Sequence, residues 1–103
     1  MTWKRPGYSI TDDPKRVDFN AVHAFLTTAY WCAGISKRVV RRSIQGSLPF
    51  SVFQGRAQVG FARVITDYAT YAYLADVYVL EAYRGRGLSK WLIQCIIDRK
   101  SVV

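Results

Sequence analysis

The sequence has few of the residues that build metal sites and no segment long enough to span a membrane. Its 103 residues include two cysteines and one histidine, and Cys32 and Cys95 lack the close spacing of metal-binding pairs. Both cysteines fall on apolar faces of predicted helices, where a buried thiol is the usual interpretation. The longest apolar stretch, 71–80, is interrupted by Asp76 and is too short to cross a bilayer. We therefore expect neither a metal site nor a membrane anchor.

Acidic residues are also scarce. Seven acidic residues stand against fifteen Lys and Arg, which leaves a formal net charge of +8. Such a surplus fits either nucleic acid or a small polyanionic ligand such as a nucleotide cofactor. The basic residues lie in short groups near the start, within 37–42 and within 84–90, without a long basic run, and this distribution disfavours nucleic acid. The group within 37–42 is either a solvated helix face or a rim of positive potential near an anionic ligand.

The hydrophobic pattern predicts one α+β domain spanning residues 1–103. Apolar residues make up 50% of the chain, which is enough for a core. The predicted element order is β-α-α-β-β-β-α. The expected strands are 8–11, 49–54, 58–66 and 70–80, and the expected helices run from Asp18 to Gly34, from Ser36 onward, and from Leu88 to a fraying end and tail over 98–103. Because the later strands are consecutive and closely linked, we expect a mostly antiparallel meander.

A glycine-rich turn joins the last predicted strand to the last helix. It reads Arg84-Gly85-Arg86-Gly87-Leu88-Ser89. The first amides of a helix have no intrahelical partner and carry the positive end of the helix dipole. Glycines allow a ligand to approach the backbone, so the turn is predicted to cradle phosphate. A Rossmann loop is excluded because Lys90 stands where its third glycine would lie, and the Gly-Lys-Ser/Thr of a Walker loop is absent.

Written as Arg84-x-x-Gly87-x-Ser89, this turn resembles the Arg/Gln-x-x-Gly-x-Gly/Ala motif of the GNAT superfamily of N-acetyltransferases. Ser89 departs from the pattern, but serine is small and keeps its amide. The predicted element order also resembles the N-terminal part of that fold, and the resemblance covers nearly the whole chain.

The resemblance implies an enzyme that transfers an acetyl group from acetyl-CoA to an amine of a small molecule or a peptide. It implies that residues 84–89 bind the pyrophosphate of CoA, with no metal. It also implies that the backbone of Val77, Tyr78 and Val79 pairs with the pantetheine arm and positions the thioester. An amide of this strand would then stabilise the oxyanion.

A catalytic base is harder to assign. Asp76 is the only acid inside the last predicted strand, and it is either the catalytic carboxylate or a carboxylate that pairs with an arginine or faces water. Tyr30, Trp31 and Tyr78 either line the acceptor pocket or belong to the core.

The resemblance further implies that the family fold continues beyond the last predicted helix with a strand, a helix and a hairpin. We therefore expect a truncated product, a sheet completed by a partner chain, or a chain that has lost catalysis. The alternative function is an inactive CoA-binding or dimerising module. An exposed strand edge invites pairing, so we expect a homodimer through edge pairing or domain swapping. The first residues are polar and basic without an apolar leader, so the expected location is cytoplasmic.

Overall fold

The computed structural model describes residues 1–99, so the predicted tail over 100–103 lies outside the described residues. Five strands form one antiparallel sheet in chain order: β1 (Thr2–Arg5), β2 (Tyr8–Thr11), β3 (Leu48–Gln54), β4 (Ala57–Thr66) and β5 (Ala72–Val79). Three helices complete the fold: α1 (Phe19–Leu26), α2 (Lys37–Gln45) and α3 (Leu88–Asp98). The α+β class and the antiparallel meander are confirmed.

Helices cover both faces of the sheet. The apolar face of α3 packs on one side against buried residues such as Phe50 and Val52. The helices α1 and α2 pack on the other side, against Phe61 and Tyr78. Because β4 is enclosed on both faces, buried apolar residues occupy both alternations of this strand. Full burial of one large apolar side chain such as Phe50 contributes about 1.5–3 kcal/mol.

The strand β1 is an element that the sequence pattern did not predict. It forms a hairpin with β2 through a turn at Pro6 and Gly7, where Gly7 has a φ of 81°. Most of its residues are exposed, so it lacks the alternation of apolar and polar residues by which strands are recognised. The observed order therefore begins with two strands rather than one.

The first helix is shorter than expected. The carboxylate of Asp18 accepts a hydrogen bond from the amide of Ala21 at 3.1 Å, which confirms the predicted N-cap. The helix ends at Leu26, not at Gly34. The amide of Gly34 donates instead to the carbonyl of Thr27 at 2.8 Å and closes a looped connection. Tyr30 is 92% exposed in this connection, so it does not belong to the core, which was one of its two predicted alternatives.

An ion cluster around the buried Asp12 ties the N-terminal hairpin to the end of α3. Asp12 is 7% exposed, and its carboxylate contacts the ammonium of Met1 at 2.6 Å and the guanidinium of Arg99 at 2.5 Å. Burial raises the pKa of Asp12, but the hydrogen bonds and charges of these two cations outweigh it and hold the pKa below its ordinary value. The indole of Trp3 adds a hydrogen bond to Asp98 at 3.0 Å.

Asp12→Asn should destabilise the protein at neutral pH by about 2 kcal/mol, because it removes the charge of a largely buried, hydrogen-bonded carboxylate. The folded-state pKa of Asp12 lies below 3.8, so its stabilisation is complete above that pH and is lost as the pH falls through the folded-state pKa. Urea unfolding between pH 2 and 7 measures the effect.

Asp13→Asn is the matched control for this substitution. Asp13 is exposed and only caps the turn that follows, which asparagine also does. Its unfolding free energy should follow the wild type. An Asp12→Asn variant whose pH dependence runs parallel to that of the wild type would contradict the ion cluster.

Candidate functional site

The glycine loop lies at the C-terminal end of β5. Gly85 and Gly87 have φ values of 80° and 75°, in the left-handed region that glycine adopts without strain. Gly87 immediately precedes α3, and its carbonyl accepts the amide of Trp91 at 3.0 Å. A Cβ at either glycine would meet no atom within 4 Å. The backbone conformation therefore requires both glycines, and open space remains beside the loop.

This space is bounded by backbone donors. The amides of Leu88, Ser89 and Lys90 belong to the first turn of α3, which contains no acidic residue. The side chain of Leu88 is buried in the core, so its backbone is what it offers to a ligand. A cavity of about 90 Å³ lies here, lined by Val79, Tyr83, Arg84, Gly85, Gly87, Leu88 and Ser89. Open backbone amides and positive charge suit an anionic group such as a phosphate.

Two arginines of the loop are held by hydrogen bonds. The Nε of Arg84 donates to the carbonyl of Val79 at 2.9 Å and ties the loop to the strand that precedes it. The Nη1 of Arg86 donates to the hydroxyl of Tyr8 at 2.7 Å, and its guanidinium lies 5.3 Å from the ring centroid of Tyr83. The sequence placed both arginines at the loop but did not indicate Tyr8 as a contact.

Successive side chains at the end of β5 point to opposite faces of the sheet. Val77 and Val79 pack toward the core that faces α3, whereas the ring of Tyr78 stacks on Phe25 with centroids 3.9 Å apart. Burial, with the nearby charge of Asp18, raises the pKa of Tyr78 above its usual range. Tyr78 therefore belongs to the core, one of the two predicted alternatives.

The backbone of β5 follows β4 closely. A Cβ at Gly60 would lie 3.1 Å from the carbonyl oxygen of Tyr78, so a side chain there would push the two strands apart by a few tenths of an ångström. Among the described residues β5 pairs with β4 alone, which leaves the outer edge of Val77–Val79 without a strand partner there.

Asp76 lies at an irregularity in β5. The register with β4 shifts between Phe61 and Arg63, and Asp76 has a φ of 53°. One carboxylate oxygen contacts the Nε of Arg63 at 2.7 Å, and the other accepts the indole N–H of Trp31 at 3.1 Å. Asp76 thus has the arginine partner that one interpretation of the sequence expected. Its catalytic role stays a prediction.

Trp31 and Tyr30 form an aromatic corner next to Asp76. Their ring centroids lie 5.2 Å apart in an edge-to-face arrangement, and Trp31 also approaches Phe25 at 6.1 Å. Trp31 is 45% exposed, so one part of its ring is free while its indole N–H holds Asp76. The pairing of Trp31 and Arg63 with Asp76 was not visible in the sequence.

Metal binding, membrane insertion and thiol chemistry find little support in the part of the chain that the structure describes. Within residues 1–99, no group of three or more His, Cys, Asp or Glu side chains is placed to hold a metal ion. No helix in the same range is long and apolar enough to cross a membrane. Burial raises the pKa of the Cys95 thiol to about 11, so it is a core residue rather than a nucleophile.

The antiparallel sheet lies between helices, and its edge strand β5 leads through the glycine loop into α3, as in GNAT-like folds. The model of the "Acetyltransferase (GNAT) family" matches residues 8–100. The chain belongs to the GNAT family of acetyltransferases.

Individual relatives agree with this assignment. A crystal structure from Xanthomonas campestris pv. campestris, described as belonging to the GNAT family, has a TM-score of 0.91 and 39% identity over 96% of this chain and 70% of its own. A protein of unknown function from Staphylococcus aureus shares the fold, with a TM-score of 0.76 and 18% identity over 92% and 71%. A candidate acetyltransferase from Gibberella zeae is 26% identical over 93% of this chain and 66% of its own length. This chain therefore spans just under two thirds of that curated relative.

Gly87→Ala should lower the free energy of unfolding by about 1–2 kcal/mol, because alanine is strained at a φ of 75°. Gly46→Ala is the matched control, since Gly46 also flanks a helix but has a φ of −91° and room for a Cβ. Urea unfolding midpoints measure both changes. Equal midpoints for the two variants would contradict the left-handed conformation of the loop.

Proposed function

We propose that this chain is an acetyl-CoA-dependent N-acetyltransferase that acts on an amine of a small molecule or a peptide. Membership of the GNAT family supports acyl transfer as the class of reaction. The glycine loop is the observation that supports acetyl-CoA as the acyl donor. Gly85 and Gly87 leave open space beside the first-turn amides of α3, and Arg84 adds positive charge there. This arrangement suits the pyrophosphate of CoA.

The donor site is proposed to extend from the loop along β5. The amides of Gly85–Ser89 would bind the pyrophosphate, and the outer edge of Val77–Val79 would pair with the pantetheine arm as an added strand does. Acetyl-CoA supplies the activated acyl group. The donor to the developing oxyanion is proposed to be a backbone amide of Val77–Val79, next to the irregularity at Asp76.

The acceptor side is proposed to lie at Asp76. An amine attacks only after it loses a proton, so a hydrogen-bond acceptor must stand nearby. The guanidinium of Arg63 and the indole of Trp31 hold the carboxylate of Asp76 in one orientation. Each carboxylate oxygen accepts one of these two hydrogen bonds and keeps a further lone-pair direction. Asp76 would use it to orient the amine and to receive its proton.

A second candidate function is a non-catalytic CoA-binding or dimerising module. The observation that favours it is the outer edge of β5, which has no strand partner among residues 1–99, while Tyr73 and Leu74 are 55% and 40% exposed. Edge pairing or domain swapping would cover this strand in a homodimer. Light scattering measures the oligomeric state directly. A dimer would support the dimerising module, and a monodisperse monomer would contradict it. A cytoplasmic location is part of both proposals, because Cys32 and Cys95 are free thiols.

Titration calorimetry with acetyl-CoA tests the donor site. We expect one binding site per chain, and we expect Arg84→Ala to weaken binding about tenfold because it removes a charge and releases the loop from Val79. Arg42→Ala removes the same charge from the exposed face of α2 and serves as the control. Absence of acetyl-CoA binding, or equal affinity of the Arg84→Ala variant and wild type, would contradict the donor site.

A thiol-release assay across a panel of amines tests turnover. Asp76→Asn keeps the size of the side chain but removes its charge, so we expect thiol release to fall by about a hundredfold. The affinity for acetyl-CoA should stay unchanged. Binding of acetyl-CoA without thiol release from any amine would favour the non-catalytic module. Full turnover by the Asp76→Asn variant would contradict the proposed role of Asp76 and would leave the proposed donor site intact.

A further inference from the structure

Two arginines that are distant in the sequence both lie next to Tyr8. Arg5 is the last residue of β1, and Arg86 lies in the loop itself. Arg5 and Tyr8 are directly opposite in the hairpin, so their side chains lie on the same side of it. Because the hydroxyl of Tyr8 accepts the Nη1 of Arg86 at 2.7 Å, the hairpin brings Arg5 into the neighbourhood of Arg86.

Both guanidinium groups are anchored on aromatic rings. The guanidinium of Arg5 lies 4.7 Å from the ring centroid of Trp91, which is buried in the first turns of α3. The guanidinium of Arg86 lies 5.3 Å from the ring centroid of Tyr83. Contact with an aromatic face orients a guanidinium without removing its charge. Arg86 therefore lies where the loop meets α3, whereas Arg5 lies over Trp91 at the edge of a pocket that extends along α3 to Asp98.

No carboxylate of residues 1–99 neutralises either arginine. The ion pairs of the described chain involve Asp12 and Asp76 instead. Asp98 lines the same pocket as Arg5 but accepts the indole N–H of Trp3 at 3.0 Å and forms no ion pair with Arg5, and Glu81 is exposed on a separate turn. Two neighbouring positive charges repel each other, and a bound anion would relieve that repulsion.

We propose that Arg5 and Arg86 form a second phosphate site beside the glycine loop, with Tyr8 as the positioning residue of Arg86. The proposal rests on the proposed function, because its ligand is CoA or a CoA ester. The chemical group is a phosphomonoester, which in CoA is the 3′-phosphate of the ribose. The planar donors of arginine match the oxygens of such a group.

This site depends on the N-terminal hairpin. The family match begins at residue 8, so Arg5 and the rest of β1 lie outside it. The hairpin would therefore let this chain distinguish CoA from dephospho-CoA, which keeps the pyrophosphate and lacks only the 3′-phosphate. The glycine loop alone would bind the two ligands similarly.

Titration calorimetry with CoA and dephospho-CoA at low salt tests the second site. We expect the wild type to bind CoA about tenfold more tightly, as one charge-assisted phosphate contact allows. Arg5→Ala should bring the ratio of the two dissociation constants close to one while leaving the affinity for dephospho-CoA unchanged. Arg86→Ala should also lower the ratio. Lys4→Ala removes the same charge from a side chain on the opposite side of β1 and should keep the ratio.

A double-mutant cycle tests the positioning role of Tyr8. Tyr8→Phe removes the hydroxyl and keeps the ring. We expect this change to lower the ratio of the dephospho-CoA and CoA dissociation constants about threefold when Arg86 is present, and not at all in the Arg86→Ala background. A purely structural role would lower the unfolding midpoint and act equally in both backgrounds. Tyr83→Phe keeps the ring under Arg86 and should leave the ratio unchanged.

The outcomes separate this site from the proposed function. If neither ligand binds, the glycine loop is not a CoA site and both proposals are wrong. If both ligands bind with equal affinity, or if Lys4→Ala lowers the ratio as much as Arg5→Ala, the second phosphate site is wrong while the donor site stands.

Discussion

Burial of the sheet on both faces is the constraint on which the rest of this structure depends. Phe50 and Phe61 are both fully buried, yet they pack on opposite sides of the sheet, toward α3 and toward α1 with α2. A slip of one residue would exchange the two faces of a strand, so the register of the meander is strongly specified. That register fixes where β5 ends and where α3 begins. The position of the glycine loop follows from it.

The irregularity at Asp76 is the exception within this enclosed sheet. A residue other than glycine at a φ of 53° is unfavourable, and surrounding contacts must hold it. Arg63 from β4 and Trp31 from the α1–α2 connection supply such contacts through the two carboxylate oxygens. The strain therefore lies where the edge strand meets the α1–α2 connection, next to the aromatic corner of Tyr30 and Trp31.

The sequence predicted those parts of the fold in which local pattern and burial agree. The helical repeat from Leu88 to Ile96 is buried against the sheet, and the last three strands were located to within two residues at each end. The sequence pattern did not predict the elements whose presence or length depends on tertiary contacts. Exposed β1 is held by pairing with β2, and α1 ends at Leu26 because the chain turns back through Gly34. The partners of Asp76 lie 13 and 45 residues away, so no local signal reveals them.

The central claim is that the loop from Gly85 to Ser89 binds the phosphates of CoA. Amide chemical shifts of labelled protein during a titration with CoA report this residue by residue. We expect the largest shifts at the amides of Gly85–Ser89, followed by those of Val77–Val79. Largest shifts in the basic helix Lys37–Gln45, with the loop amides unmoved, would contradict it.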